Sequence, residues 1–182
     1  MKDVARLLTI AVLAMAAPAC SRGGGSLLAS GERMPAGIAV TSPAFATGQP
    51  VPARFTCDGA DVPPALAWSA VPAGTEELAV AVEDPDAPGG VYVHWLVVGI
   101  DPAAGGLAGV PAGATVLPGS NGKAAYAGPC PPKRGGAHHY SFEVYALPRR
   151  PALPTGGSPA ARVRAVRRAA TAGGSLVGTY DR

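Results

Sequence analysis

Two apolar runs dominate the chain, residues 78–82 and residues 91–100. The first carries no polar side chain, and the second contains a single histidine, His94, near its start. Runs of this length that are apolar on both faces predict central strands covered on both sides. Residues 140–147 alternate instead, with Tyr140, Phe142, Val144 and Ala146 on one face, which predicts a third long strand. Between the two runs lies Glu83-Asp84-Pro85-Asp86-Ala87-Pro88. Its prolines fix φ and remove two backbone donors, so it reads as a rigid turn that can aim carboxylates. Weaker patterns predict short strands at 38–40, 54–56 and 65–68, and a last strand at 176–180. Residues 159–172 have a helical composition, with Pro159 at the start and Gly173-Gly174 as the stop. Residues 101–137 are mostly Gly, Pro, Ala and Ser, and so long an irregular stretch inside a domain is usually functional or disordered. The pattern predicts a mainly β fold with one or two peripheral helices.

The N-terminus follows a different rule. Lys2 and Arg6 precede an apolar stretch, residues 7–17, that is too short to span a bilayer. Ala17-Pro18-Ala19 fits a signal cleavage site, so residues 1–19 are expected to be a signal peptide. Cys20 follows, and then a Gly/Ser-rich segment within a flexible linker spanning 20–36; this resembles the lipobox and tether of bacterial lipoproteins. The expectation is a lipid anchor at Cys20, with plain secretion as the alternative. Residues 37–182 then form one domain, exported and held in the bacterial cell envelope. With Cys20 set aside, Cys57 and Cys130 are an even pair in an oxidising compartment. They could be two small buried thiols or a disulfide; the bridge is the expectation.

The formal net charge of +3 gives no reason to expect a nucleic-acid partner. Basic residues nevertheless gather late in the chain. Arg162, Arg164, Arg167 and Arg168 lie on the expected helix and read as its solvated face, with contact to anionic lipid as a minor alternative.

The candidate chemistry sits at strand ends. Asp84 and Asp86 are alternate residues of the rigid turn, and His94 begins the next strand. An Asp–His hydrogen bond there would fix the imidazole tautomer and favour its charged form, so anion binding should weaken as pH rises through the His pKa. His138 and Tyr140 share one face of the following strand, and His139 points the other way. The same acids could simply cap their own turn, and His94 could be a satisfied core residue. Two Asp and three His could in principle hold a metal in a hydrolase, but the chain has no HExxH motif. It also lacks a G-x-S-x-G elbow and any dinucleotide or phosphate-binding glycine loop. No cofactor, metal or catalytic residue is therefore expected.

Taken together, several segments resemble the phosphatidylethanolamine-binding protein family, in its bacterial Raf kinase inhibitor-like branch. They are Phe55-Thr56-Cys57-Asp58-Gly59, residues 62–68, Val71-Pro72-Ala73-Gly74-Thr75, Asp84-Pro85-Asp86-Ala87-Pro88 and His94-Trp95. They continue through Asn121-Gly122, Tyr126, residues 128–132, His138-His139-Tyr140 and Gly178-Thr179-Tyr180. The resemblance implies a large central antiparallel sheet, a second smaller sheet and peripheral helices. It also implies an anion pocket lined by Asp84, Asp86, Pro88, His94, Gly128, Pro129, His138 and Tyr140. Such pockets take phosphate-like and carboxylate-like groups, including phospholipid head groups, without catalysis. The other function it allows is inhibition of a secreted protease or another envelope partner. Where family members often carry Arg between the His and the Tyr, this chain has His139, which would make charge interactions beside the pocket pH-dependent.

Overall fold

The computed structural model describes residues 37–182, so the expected signal peptide, linker and Cys20 anchor lie outside the described residues. The apolar runs form β3 (Glu77–Asp84) and β4 (Tyr92–Ile100), and the alternating segment forms β7 (His138–Leu147). These three are the middle of a five-stranded antiparallel sheet ordered β6-β4-β3-β7-β8, with β6 at Thr115–Val116 and β8 at Ala172–Tyr180. A second antiparallel sheet, β1-β2-β5, is built from Ala39–Thr41, Leu66–Ser69 and Gly106–Leu107. The mainly β fold with a large and a small sheet is therefore present.

Both faces of the large sheet are covered, as its apolar runs require. Val80, Val82, Trp95, Phe142 and Val144 face the small sheet, packing with Leu66, Trp68 and Leu107. Ala79, Ala81, Leu96, Tyr145 and Leu147 face α1 (Pro159–Ala169), which contributes Val163 and Val166. Ser158 caps the helix by accepting from the Ala161 N–H at 3.2 Å, and Pro159 opens it.

Arg167 departs from the solvated face expected for the helix arginines: it is buried under α1. Its Nη2 lies 2.5 Å from Glu83 Oε2 and 3.2 Å from Glu143 Oε2, and its Nε donates to the Tyr145 hydroxyl at 3.0 Å. Tyr145 in turn donates to Glu143. Two buried carboxylates thus share one guanidinium, and this cluster pins the helix to β3 and β7. Burial, then the repulsion of Glu143, pushes the Glu83 carboxyl up to about 7, and Arg167 opposes the shift.

Three boundaries differ from the sequence pattern. Residues 54–56 are not a strand; Ala53–Phe55 form a single 3-10 turn. The helix stops at Ala169. The last strand begins at Ala172 and runs straight through Gly173-Gly174, because a small residue is needed there. A Cβ on Gly174 would stand 2.0 Å from the Ile38 carbonyl oxygen. Among the described residues no helix is long and apolar enough to cross a membrane.

Candidate functional site

Antiparallel pairing gathers the chemistry at one end of the large sheet. Asp84 ends β3, Tyr92 begins β4 and His138 begins β7. They surround a cleft of about 320 Å3. His138 Nδ1 lies 2.8 Å from Asp84 Oδ2, and both side chains are buried. The other carboxylate oxygen accepts the Asp86 N–H at 2.8 Å. Asp84 is therefore locked from both sides, and as an acceptor it fixes the His138 proton on Nδ1. Nε2 is left for a ligand.

His94 reaches the cleft through a β-bulge. Val82 pairs with Trp95, but the next residue, Glu83, pairs with Val93, so His94 has no partner across the ladder. Bulges re-aim side chains in this way. His94 Nδ1 lies 2.7 Å from the Ala127 carbonyl oxygen, which can only accept, so Nδ1 carries the proton. Nε2 is buried and has no protein partner. Burial pulls the His94 pKa down, against the opposing pull of the Ala127 carbonyl and of Asp84. The neutral ring then offers Nε2 as a hydrogen-bond acceptor. The Tyr92 ring and the edge of Tyr140 flank it, at centroid distances of 4.7 and 5.3 Å.

The remaining wall is two loops sewn together. Tyr126 Oη donates to the Phe55 carbonyl at 2.8 Å, Gly128 N–H to Asp61 Oδ1 at 2.6 Å, and Cys57 N–H to the Pro129 carbonyl at 3.1 Å. A disulfide joins Cys57 to Cys130, the bridge expected from the sequence, with a Cα–Cα distance of 5.4 Å. Glycine is required at 128, since a Cβ there would stand 2.5 Å from the Phe55 carbonyl oxygen. From outside, Arg182 and Tyr180 both bond Asp58, which braces the Cys57 loop against the end of the chain.

Five of the eight residues implied by the family resemblance line this cleft: Asp84, Pro88, His94, Gly128 and His138. The other three stand just behind or beside it. Tyr140 is fully buried beneath the two histidine rings, and its hydroxyl lacks a good hydrogen-bond partner, so it supports the rings rather than reaching the opening. Pro129 is buried and serves through its carbonyl. Asp86 turns outward and accepts from both the backbone N–H and Nδ1 of His139, at 2.8 and 2.7 Å. Burial works against ionisation of Asp86, but the His139 hydrogen bonds outweigh it and hold the carboxyl below the ordinary carboxylate range. His139 does point away from His138, as alternation requires, and its side chain is 59% exposed.

Sequence reasoning missed Asp61 and Tyr92, which also line the cleft. Asp61 had a usable signal: a Cys57–Cys130 bridge brings residue 61 within a few residues of Gly128. Among the described residues, no group of three or more His, Cys, Asp or Glu gathers as a metal cluster.

Comparison with known proteins fits this arrangement. Residues 41–181 match the family model described as phosphatidylethanolamine-binding protein. LppC of Mycobacterium tuberculosis, which carries a lipoprotein name, is 47% identical over 146 residues, covering 79% of this chain and 72% of its own. The UPF0098 protein PH1269 of Pyrococcus horikoshii is 36% identical, covering 78% of this chain and 75% of its own. The crystal structure of Escherichia coli YbcL, described as a new member of the mammalian PEBP family, superposes with a TM-score of 0.74. It is 32% identical and covers 81% of this chain and 99% of its own. The chain belongs to the phosphatidylethanolamine-binding protein family, in its bacterial branch.

Proposed function

We propose that this protein is a non-enzymatic binder of a small phosphate-type anion, free or as a phospholipid head group, working in the cell envelope. The observation that carries the reading is the His138–Asp84 pair placed in one cleft with the unpartnered Nε2 of His94. Asp84 accepts from His138 Nδ1, so a His138 ring that also carries a proton on Nε2 would present an N–H donor with its charge balanced, and an anion would meet a donor and not a net negative wall. Neutral His94 wants the opposite, a ligand O–H. A phosphate or phosphate monoester carrying one proton supplies both an acceptor oxygen and a donor hydroxyl. Binding without turnover is supported by the lining itself. Among the described residues no Ser or Thr lines the cleft, and the two cysteines that do, Cys57 and Cys130, are joined in the disulfide. The lipoprotein name of LppC supports export and acylation at Cys20.

Calorimetric titration with phosphoethanolamine and with inorganic phosphate tests this. His138→Ala or Asp84→Ala should each weaken binding about tenfold to hundredfold, the loss expected when a charged hydrogen-bond partner is removed. The double variant should lose much less than the product, because the two act as one unit. His139→Ala should change little. If the double variant binds as tightly as wild type, the anion does not sit at this pair.

A further inference from the structure

The end of the large sheet opposite the cleft carries the strongest charge asymmetry in the chain. From Pro148 to Tyr180 there are six arginines and no Asp or Glu. Arg167 is withdrawn into the buried cluster. Arg149 and Arg150, exposed in the loop after β7, line a shallow groove of about 720 Å3 together with Arg168 of α1. Arg164 lies one turn before Arg168 on the same side of the helix. The acids at this end are Glu76 and Glu77, where β3 starts beside Leu147, and Asp101, which follows the Ile100 partner of Leu78. Four arginines against three acids leave the end positive.

We propose that this arginine face docks on an anionic phospholipid bilayer and turns the cleft toward the aqueous side. Two observations select a bilayer. The groove between the arginines is floored by Pro148, Pro151, Ala152, Ala165 and Ala169, with no aromatic side chain. It therefore lacks the large anchors on which protein partners concentrate binding energy, and it offers no ring on which nucleic-acid bases could stack. A flat basic surface with short apolar side chains suits lipid head groups instead, each arginine adding attraction to a negative leaflet.

The second observation is where the preceding chain joins the domain. A Cβ on Gly37 would stand 3.3 Å from that of Ala172, and the Ile38 N–H donates to the Gly173 carbonyl at 3.2 Å. Ala172 pairs with Ala146, three residues before Arg149, so the N-terminal chain enters at the arginine end. Residues 21–36 extend to at most roughly 55 Å, which keeps a Cys20 anchor within reach of this face. The cleft end is marked by the pairing of His138 with Tyr180. Strand rise separates it from Ala146 by roughly 26 Å. Chain entry and charge thus lie at the same end, and docking by that end turns the cleft away from the bilayer.

The test is vesicle co-sedimentation of the full chain, whose N-terminal segment is common to all variants compared. The vesicles are phosphatidylcholine, with and without about one third phosphatidylglycerol. Wild type should prefer the anionic vesicles, and raising salt from about 0.1 M to about 0.5 M should erase that preference. Arg149→Ser/Arg150→Ser/Arg164→Ser/Arg168→Ser should lower the anionic preference by about tenfold or more. The loop pair Arg149→Ser/Arg150→Ser, away from any packed helix, should lower it by about threefold or more even if the quadruple variant folds poorly. Lys133→Ser/Arg134→Ser, at the cleft end, should leave it unchanged. The proposal is overturned by unaltered preference in the loop pair, by equal loss in the cleft-end variant, or by tighter arginine-dependent binding to a DNA oligonucleotide than to vesicles.

Discussion

Arg167→Met should cost about 3–5 kcal/mol of folding stability at pH 7.5, the loss expected when one partner of a buried ion pair is removed. Methionine fills much of the volume, so the loss reports charge more than packing. Glu83 and Glu143 would then face each other under α1 with only Tyr145 between them and an uncompensated charge. The effect depends on pH with a definite sign. Folding raises the Glu83 carboxyl from 4.5 to about 7, so the folded protein holds a proton that the unfolded chain releases. The stability linked to Glu83 is therefore fully present below 4.5 and is lost as pH rises through about 7. Without Arg167 the carboxyl rises further, and the penalty for ionising it grows over the same window. Urea unfolding at pH 5 and at pH 7.5 should show a loss at pH 5 of about half that at pH 7.5 or less. A loss below about 1 kcal/mol at pH 7.5 would show that the cluster does not hold the helix.

The second large effect concerns the cleft wall. The Cys57–Cys130 bridge closes a loop across a sequence separation of 73 residues. In the chain-entropy description, opening such a loop costs about 4 kcal/mol. For a domain of this size that corresponds to a fall of about 10 °C in Tm. Cys57→Ala/Cys130→Ala and reduced wild type should agree in this respect, because both act mainly on the unfolded chain. Three hydrogen bonds still join the loops after the bridge is gone, so phosphoethanolamine affinity should fall much less than in His138→Ala. Thermal unfolding with and without reductant decides it; an unchanged Tm on full reduction would mean that the bridge constrains nothing.

The three central strands were legible because their side chains answer to burial alone. Runs apolar on both faces have one good environment, the middle of a covered sheet, and β3 and β4 occupy it. The pairing of an Asp84 with a histidine was also legible, since strand ends on a hairpin bring such groups together. Which histidine it is was not, because that depends on β7 lying beside β3 and not on local sequence. The bulge at His94 was invisible for the same reason: a register shift is a property of two strands, and nothing in Val93-His94-Trp95 announces it. Asp86 was assigned to the cleft by the family resemblance, yet His139 competes for it from the outer face. Arg-Phe-Thr at 54–56 has strand propensity, but the preceding Pro52 and the turn hydrogen bonds from Phe55 and Thr56 override it. Arg167 looked like its exposed neighbours because helical periodicity cannot show that two carboxylates wait beneath that position.

The central claim is that one phosphate-type anion bridges His94 and His138 through their Nε2 atoms. Nitrogen NMR of the imidazole rings during titration with phosphoethanolamine tests it most directly. The account predicts that the Nε2 signals of His94 and His138 both move and saturate together. Their Nδ1 signals, held by Ala127 and Asp84, should stay protonated, and His139 should remain unchanged. Movement of His139 alone, or saturation with neither buried ring responding, would contradict it.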